Sequence, residues 1–178
     1  GGDLGYFTSL QMVYPFETVA YNTPVGEISM PVRTSYGYHI VKVNDERPAR
    51  GRVRVRHIFL RVPETMPEEE AQMAKEKIYQ LFDSLRMGAD FGKLAQRHTD
   101  DESTARLGGL LPWFKSGQMV APFEDAAFAL NEPGEISEPV NSGFGWHLLK
   151  LVEKDTVGSF EEERSDIMQQ VLMGDRRR

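Results

Sequence analysis

The residue types that could carry chemistry in this chain are four histidines, His39, His57, His98 and His147, and the adjacent carboxylates Asp100 and Asp101. Histidine titrates near neutral pH and ligates metals, and a carboxylate beside it can orient the ring. A metal site built from His57, His98, Asp100, Asp101 and His147 is disfavoured, because no pair of them has the i, i+4 helical spacing of metallohydrolase motifs. The absence of cysteine removes thiolate ligands, disulfides and a cysteine nucleophile. Neither a metal nor a cofactor is expected. Read alone, each remaining group has a structural alternative. His57 lies among alternating apolar residues and serves equally as a hydrogen-bonded core histidine. Asp101 reads as a turn residue with Asp100 as its competitor, and His98 as an exposed loop histidine.

The elements that must position these groups follow from periodicity. Over 53–60, Val53, Val55, His57 and Phe59 alternate with Arg54, Arg56, Ile58 and Leu60, the period of a strand. Thr65 followed by Glu68, with Pro67 between them, reads as a capping-box start for a helix whose Ala71, Ala74, Ile78, Leu81 and Leu85 recur at three and four. That helix stops at Met87-Gly88. Asp90 caps a second helix to about Arg97, and 98–106 has loop composition. Gly108-Gly109 turns into a short strand around Trp113-Phe114, 122–130 is a short helix, and strands follow over 136–140 and 145–154, the last holding His147. The order β-α-α-β-α-β-β specifies an α+β domain with a small sheet partly covered by helices.

The same pattern occurs twice. Residues 1–45 align with 108–153 at an offset of 107, then 108 after a one-residue gap, with about twenty identities. The first copy lacks the fifty or so residues that precede the repeat in the second, so it is half a domain. The expected organisation is a C-terminal half-domain at 1–47, a charged Pro/Gly linker at 48–52, a complete domain at 53–155 and a C-terminal helix at 156–178, capped by Ser159 and Glu162. The half-domain is expected to expose apolar sheet surface, which it buries either against a missing upstream segment or by self-association with a neighbouring chain. With no initial Met and no signal peptide, the chain reads as a fragment or processed form.

Composition excludes several partners. Lys+Arg number 21 against 27 Asp+Glu, for a net charge of −6, and no basic run exceeds the three terminal arginines. Nucleic acid, held mostly by clustered Lys and Arg, is therefore not an expected partner. Apolar runs are far shorter than the roughly 20 residues of a membrane span, so no membrane insertion is expected.

The run Gly-Gly-x-Leu, Phe, Gly-Gln-Met, Pro-Phe-Glu, Gly-Glu-Ile-Ser, Pro-Val and Gly-x-His, together with Arg56-His57-Ile58 and Thr99-Asp100-Asp101, resembles the parvulin family of peptidyl-prolyl isomerases, in particular the bacterial PpiC/SurA type with tandem domains. The resemblance implies a four-stranded antiparallel sheet surrounded by helices. It also implies catalytic roles for His57, Asp101 and His147 and substrate-binding roles for Leu111, Phe114, Met119, Phe123 and Trp146. At Leu110 and Pro112 the second unit departs from the pattern that Asp3 and Gly5 keep in the first, giving a stiffer, more apolar turn.

Rotation about an Xaa-Pro amide crosses a barrier of about 18–20 kcal/mol without breaking a bond. An enzyme gains by binding the twisted amide better than either planar form. Leu111, Met119 and Phe123 would grip the pyrrolidine ring in a dry pocket, and Asp101, held by His57 and His147, would tune the field at the carbonyl. Met119 and Phe123 without that context would be core residues. The implied partners are unfolded or extended proline-containing polypeptides, with outer-membrane proteins as clients in a bacterial periplasm. The alternative is a chaperone module that holds peptides with little or no turnover. Phosphate-directed specificity is not expected, since Arg61 is followed by Glu64, Glu68, Glu69 and Glu70.

Overall fold

The computed structural model describes residues 2–158 and 160–173. The chain divides into one unit formed by Gly1–Ala49 with Val157–Arg178 and a second formed by Arg50–Thr156.

In the first unit, helix α1 (Tyr14–Asn22) follows the extended Val13 and takes Pro15 in its opening turn, where the missing N–H costs nothing. Strands β1 (Val32–Thr34) and β2 (Gly37–His39) form an antiparallel hairpin with Val32 opposite His39. Phe7, Phe16 and His39 make a small aromatic cluster, with Phe16 edge-on to the His39 ring at 5.5 Å. Outside that cluster Ile28, Met30, Tyr36, Tyr38 and Ile40 are 66–83% exposed. A helix over Phe160–Met173 belongs to this unit. Ser159 and the chain end after 173 lie outside the described residues, and with them the Ser159 cap and the terminal arginines.

The second unit is built on two long strands, β3 (Arg52–Arg61) and β6 (Gly145–Asp155), paired antiparallel from Arg52 opposite Asp155 to Arg61 opposite Gly145 with one irregularity between Arg54 and Val55. Between them in sequence come α2 (Glu68–Arg86), α3 (Phe91–His98), α4 (Glu102–Ala105), β4 (Phe114–Lys115), α5 (Ala121–Ala129) and β5 (Val140–Asn141). The sheet order is β4-β3-β6-β5, all antiparallel. One face packs Ile58, Leu60 and Leu148 against Ile78, Leu81 and Leu85 of α2 and Phe91 and Ala95 of α3. The other packs Val53, Val55, Leu149 and Leu151 against Phe123, Ala127 and Phe128 of α5 and Phe114 of β4. A small sheet sandwiched by helices is the α+β architecture that the sequence implies.

Three local expectations are corrected. Thr65 caps nothing: α2 begins at Glu68 after an extended Pro67, because the residue before a proline is driven out of the helical region, and Glu68, Glu69 and Glu70 fill the first turn where the helix dipole favours them. The 98–106 segment is not all loop, since His98 is the half-buried last residue of α3 and Asp101 caps the short α4 by accepting from Ser103 N–H at 3.1 Å. The strand expected over 136–140 is reduced to a single bridge from Ile136 to Lys150 and the pair Val140–Asn141, because Pro139 cannot donate to the ladder. No helix among the described residues is long and apolar enough to cross a membrane.

Candidate functional site

The two long strands bring together residues ninety apart. His57 lies opposite Leu149 and Phe59 opposite His147, so strand alternation puts His57, Phe59 and His147 on the α5 side of the sheet. The two imidazoles are near-parallel with centroids 6.1 Å apart, and Phe59 stacks on His147 at 4.6 Å. Phe123 presents its edge to both, at 6.1 Å from His57 and 5.1 Å from His147. Phe123 is held there by α5 and backed by the buried Phe114 at 5.9 Å.

A polar network meets His57 from the α3–α4 junction. His57 Nε2 is 2.8 Å from Asp101 Oδ2 and 3.1 Å from Thr104 Oγ1, and the Thr104 hydroxyl donates to the same carboxylate oxygen at 2.5 Å. The ionised carboxylate can only accept, and the threonine proton is already committed to it, so His57 must carry its proton on Nε2 and donate. Asp101 Oδ1 accepts from Ser103 N–H and from the Ser103 hydroxyl at 2.6 Å. His147 uses Nε2 toward Ser142 Oγ at 2.7 Å. The Nδ1 atoms of both histidines are buried without a hydrogen-bond partner. Two ring nitrogens therefore remain unspent at the bottom of the apolar site.

Electrostatics follow from this packing. Burial pushes His57 below its ordinary pKa against the pull of Asp101, and burial, with repulsion from His57, pushes His147 down to about 4. Asp101 shows the reverse balance. Burial works to raise its pKa, but hydrogen bonds from Ser103, Thr104 and His57 outweigh it and hold the carboxyl well below the usual range. At neutral pH the site thus holds two neutral imidazoles and one carboxylate with its negative charge fixed by four donors.

The structure brings His57, Asp101, His147 and Phe123 into one group, with Leu111 and Met119 half-buried against the same apolar cluster. It separates others. Trp146 is corrected as a substrate-binding residue: one step along β6 from His147, it faces the opposite side of the sheet and packs edge-on to Tyr79 of α2. Phe114 is 2% exposed and supports Phe123 from behind, which leaves it no surface for a substrate. Asp100 accepts from Arg61 N–H at 2.8 Å and so tacks the junction to β3. His98 sits at the end of α3.

Three residues of the group escape a reading of motifs. Thr104 looks like any helix residue until Asp101 is known to cap α4. Phe59 follows His57 at the strand period and was legible only as an apolar position. Ser142 carried a signal in the repeat: its counterpart Thr34 stands five residues before His39, as Ser142 does before His147, and Thr34 Oγ1 lies 2.7 Å from His39 Nε2.

Comparison with known proteins identifies the family. A family model described as the rotamase, PPIC-type PPIASE domain, matches residues 1–45 and 57–153. The protein Chaperone SurA of Nitrosococcus oceani is 39% identical over 167 residues, 91% of this chain and 38% of its own length. Chaperone SurA of Methylococcus capsulatus is 39% identical over 158 residues, 86% of this chain and 34% of its own. The chain therefore spans little more than a third of these relatives. A crystal structure of a PpiC-type peptidyl-prolyl cis-trans isomerase domain is similar in fold, with TM-score 0.54 and 24% identity over 61% of this chain and 94% of that one.

Proposed function

Because the chain belongs to the PPIC-type peptidyl-prolyl isomerase family, we propose that its second unit catalyses cis-trans isomerisation of Xaa-Pro bonds in extended client chains, at the site formed by His57, Asp101, His147, Leu111, Met119 and Phe123. The observation that carries this reading is the pairing of a hydrogen-bonded His57–Asp101–Thr104 network with an aromatic wall and two unspent imidazole nitrogens. Phe123 and Met119 form the seat for the pyrrolidine ring, one rigid and one adaptable. A desolvated seat disfavours the planar amide, whose resonance makes it the more polar form, and so favours the twisted one. As the amide twists, its nitrogen gains a lone pair and its carbonyl loses negative charge. The fixed carboxylate of Asp101 acts on that redistribution through space, and His57 holds it in place.

The segment 1–47 is read as the C-terminal half of a first parvulin-like domain, 48–52 as a linker, 53–155 as the complete domain and 156–178 as a terminal helix. The reading extends to unfolded polypeptides as partners, outer-membrane proteins among them, and to a bacterial periplasm as location; the relatives named Chaperone SurA support it. The names of those relatives also favour a second reading, a chaperone module that holds peptides and turns them over slowly.

Cis-trans exchange of an Ala-Xaa-Pro-Phe peptide, followed by two-dimensional NMR exchange spectroscopy, separates the two. An isomerase accelerates exchange, with a loss of tenfold or more in Asp101→Ala and a smaller loss in Met119→Ala. Peptide binding that perturbs resonances around Phe123 without acceleration supports the holding module and overturns the catalytic reading.

A further inference from the structure

On the side of the sheet away from His57 there is a cavity of about 460 Å³ lined by Arg56, Asp90, Gly92, Lys93, Arg106, Gly108 and Lys150 among others. Four of those side chains are cations and one is an acid, an excess of three positive charges in a chain whose net charge is −6. The arrangement is built by the fold. Arg56 and Lys150 are paired across β3 and β6, and the opening turn of α3 and the turn after α4 close over them. Arg56 Nη1 donates to the carbonyls of Leu107 and Gly108 at 2.6 and 3.0 Å. That anchors its guanidinium, and Nε and Nη2 have no hydrogen-bond partner among the described residues. Lys93, Arg106 and Lys150 have no carboxylate partner in any ion pair among the described residues. The one acid, Asp90, is already engaged as the cap of α3, accepting from Lys93 N–H at 2.7 Å.

Like charges gathered around one concavity repel each other, and Asp90, the single carboxylate of the lining, offsets only one of the four. An anion would offset the others. Arginine is suited to bidentate contact with a planar or tetrahedral oxyanion, and lysine to a compact multiple charge. The positive end of the α3 dipole points the same way. The volume lies in the range of small-ligand sites.

We propose that this cavity binds a phosphate-class oxyanion, either free or as a lipid headgroup, independently of the isomerase site on the opposite face. The test is a titration of the isotopically labelled full chain with inorganic pyrophosphate at constant ionic strength. Saturable amide shifts confined to Gly92, Lys93, Arg106, Gly108 and Lys150 are expected. The double variant Lys93→Glu/Arg106→Glu, at two exposed positions, should weaken binding at least tenfold while leaving the amide spectrum around His57 and His147 unchanged. Lys150→Met, which keeps the aliphatic stem, should weaken it about three- to tenfold and serves if the double variant misfolds. Shifts that scatter over surface lysines without saturating, or variants that bind as tightly as wild type, overturn the proposal. A second arm separates the sources. Phosphatidic acid vesicles that bind, and are released by pyrophosphate or by the double variant, identify a headgroup. Pyrophosphate binding without vesicle binding identifies the free anion. Vesicle binding unaffected by the double variant, with no pyrophosphate binding, overturns the cavity as the site.

Discussion

The first unit and the second share several local contacts at paired positions, yet among the described residues only the second sets a carboxylate against its histidine. Leu10 N–H donates to Glu17 as Gly117 N–H donates to Glu124. Thr8 N–H donates to Gln11 as Lys115 N–H does to Gln118. Val41 N–H reaches Ser29 Oγ as Leu149 N–H reaches Ser137 Oγ. Phe16 is edge-on to His39 as Phe123 is to His147. What differs is β3 and the helices that follow it. Tyr38 and Ile40 are exposed in the first unit, whereas their counterparts Trp146 and Leu148 are covered by α2 and α3. The lesson is that the helix and hairpin of this fold are specified locally and carry the aromatic half of the proposed site. The polar half arrives only with a strand from far upstream.

The sharpest way to break this comparison is at paired glycines. A Cβ on Gly109 would stand 2.1 Å from the His57 carbonyl, while one on its counterpart Gly2 meets nothing within 4 Å, although both have positive φ. Gly109→Ala should therefore destabilise the second unit by about 3 kcal/mol or more, and Gly2→Ala cost the first about 1 kcal/mol. The only two tryptophans, Trp113 and Trp146, lie in the second unit, so urea unfolding followed by tryptophan fluorescence reads that unit alone.

The next effect sharpens the comparison through pH. His147 is buried with a pKa near 4, against an ordinary 6.5. Below pH 6.5 the unfolded chain gains a proton that the folded unit refuses, so stability falls as pH drops through that window, by up to roughly 3 kcal/mol near pH 4. His57, also pushed down, adds a slope of the same sign. Asp101, held well below its ordinary 3.8, contributes stability that is lost only as pH falls further. Tryptophan-detected urea curves at pH 7.0, 5.5 and 4.5 should show this loss, and His147→Gln should flatten it.

The smallest effect concerns backbone conformation alone. Leu10 has φ of 72° where the second unit has Gly117 at 81°. Leu10→Gly should stabilise the first unit by about 0.5–1 kcal/mol and Gly117→Leu destabilise the second by about 1 kcal/mol. Amide exchange at Ser29, Val41 and Val43, which are hydrogen-bonded within the first unit, reads the former, and tryptophan fluorescence the latter.

Much of this was legible in the sequence because it depends on short range. Alternation gave β3, spacing gave the buried stripe Ile78, Leu81 and Leu85, and Asp90 announced α3. The repeat paired His39 with His147. What could not be read depends on which face a residue takes in a folded sheet. Trp146 and His147 are neighbours in sequence and were assigned together, but the pleat sends them to opposite layers. Thr104 is invisible as a partner of His57 until a four-residue helix forms, and a helix that short has no periodicity to detect. The cluster of Arg56, Lys93, Arg106 and Lys150 was hidden for the same reason, since no two of its members are near one another in sequence.

The pairing of β3 with β6, from Arg52 opposite Asp155 onward, has a consequence in time. The strand that opens the unit waits about a hundred residues for its partner, and closing a loop of that length before any pairing rewards it slows folding. A chain made or threaded N-terminus first must hold β3 without its long strand partner until Leu148, Leu149 and Leu151 emerge. A protein family that acts on slow steps in the folding of others thus begins its own existence with a long-range closure of its own, and the duration of that wait sets how long its apolar strand is open to misassembly.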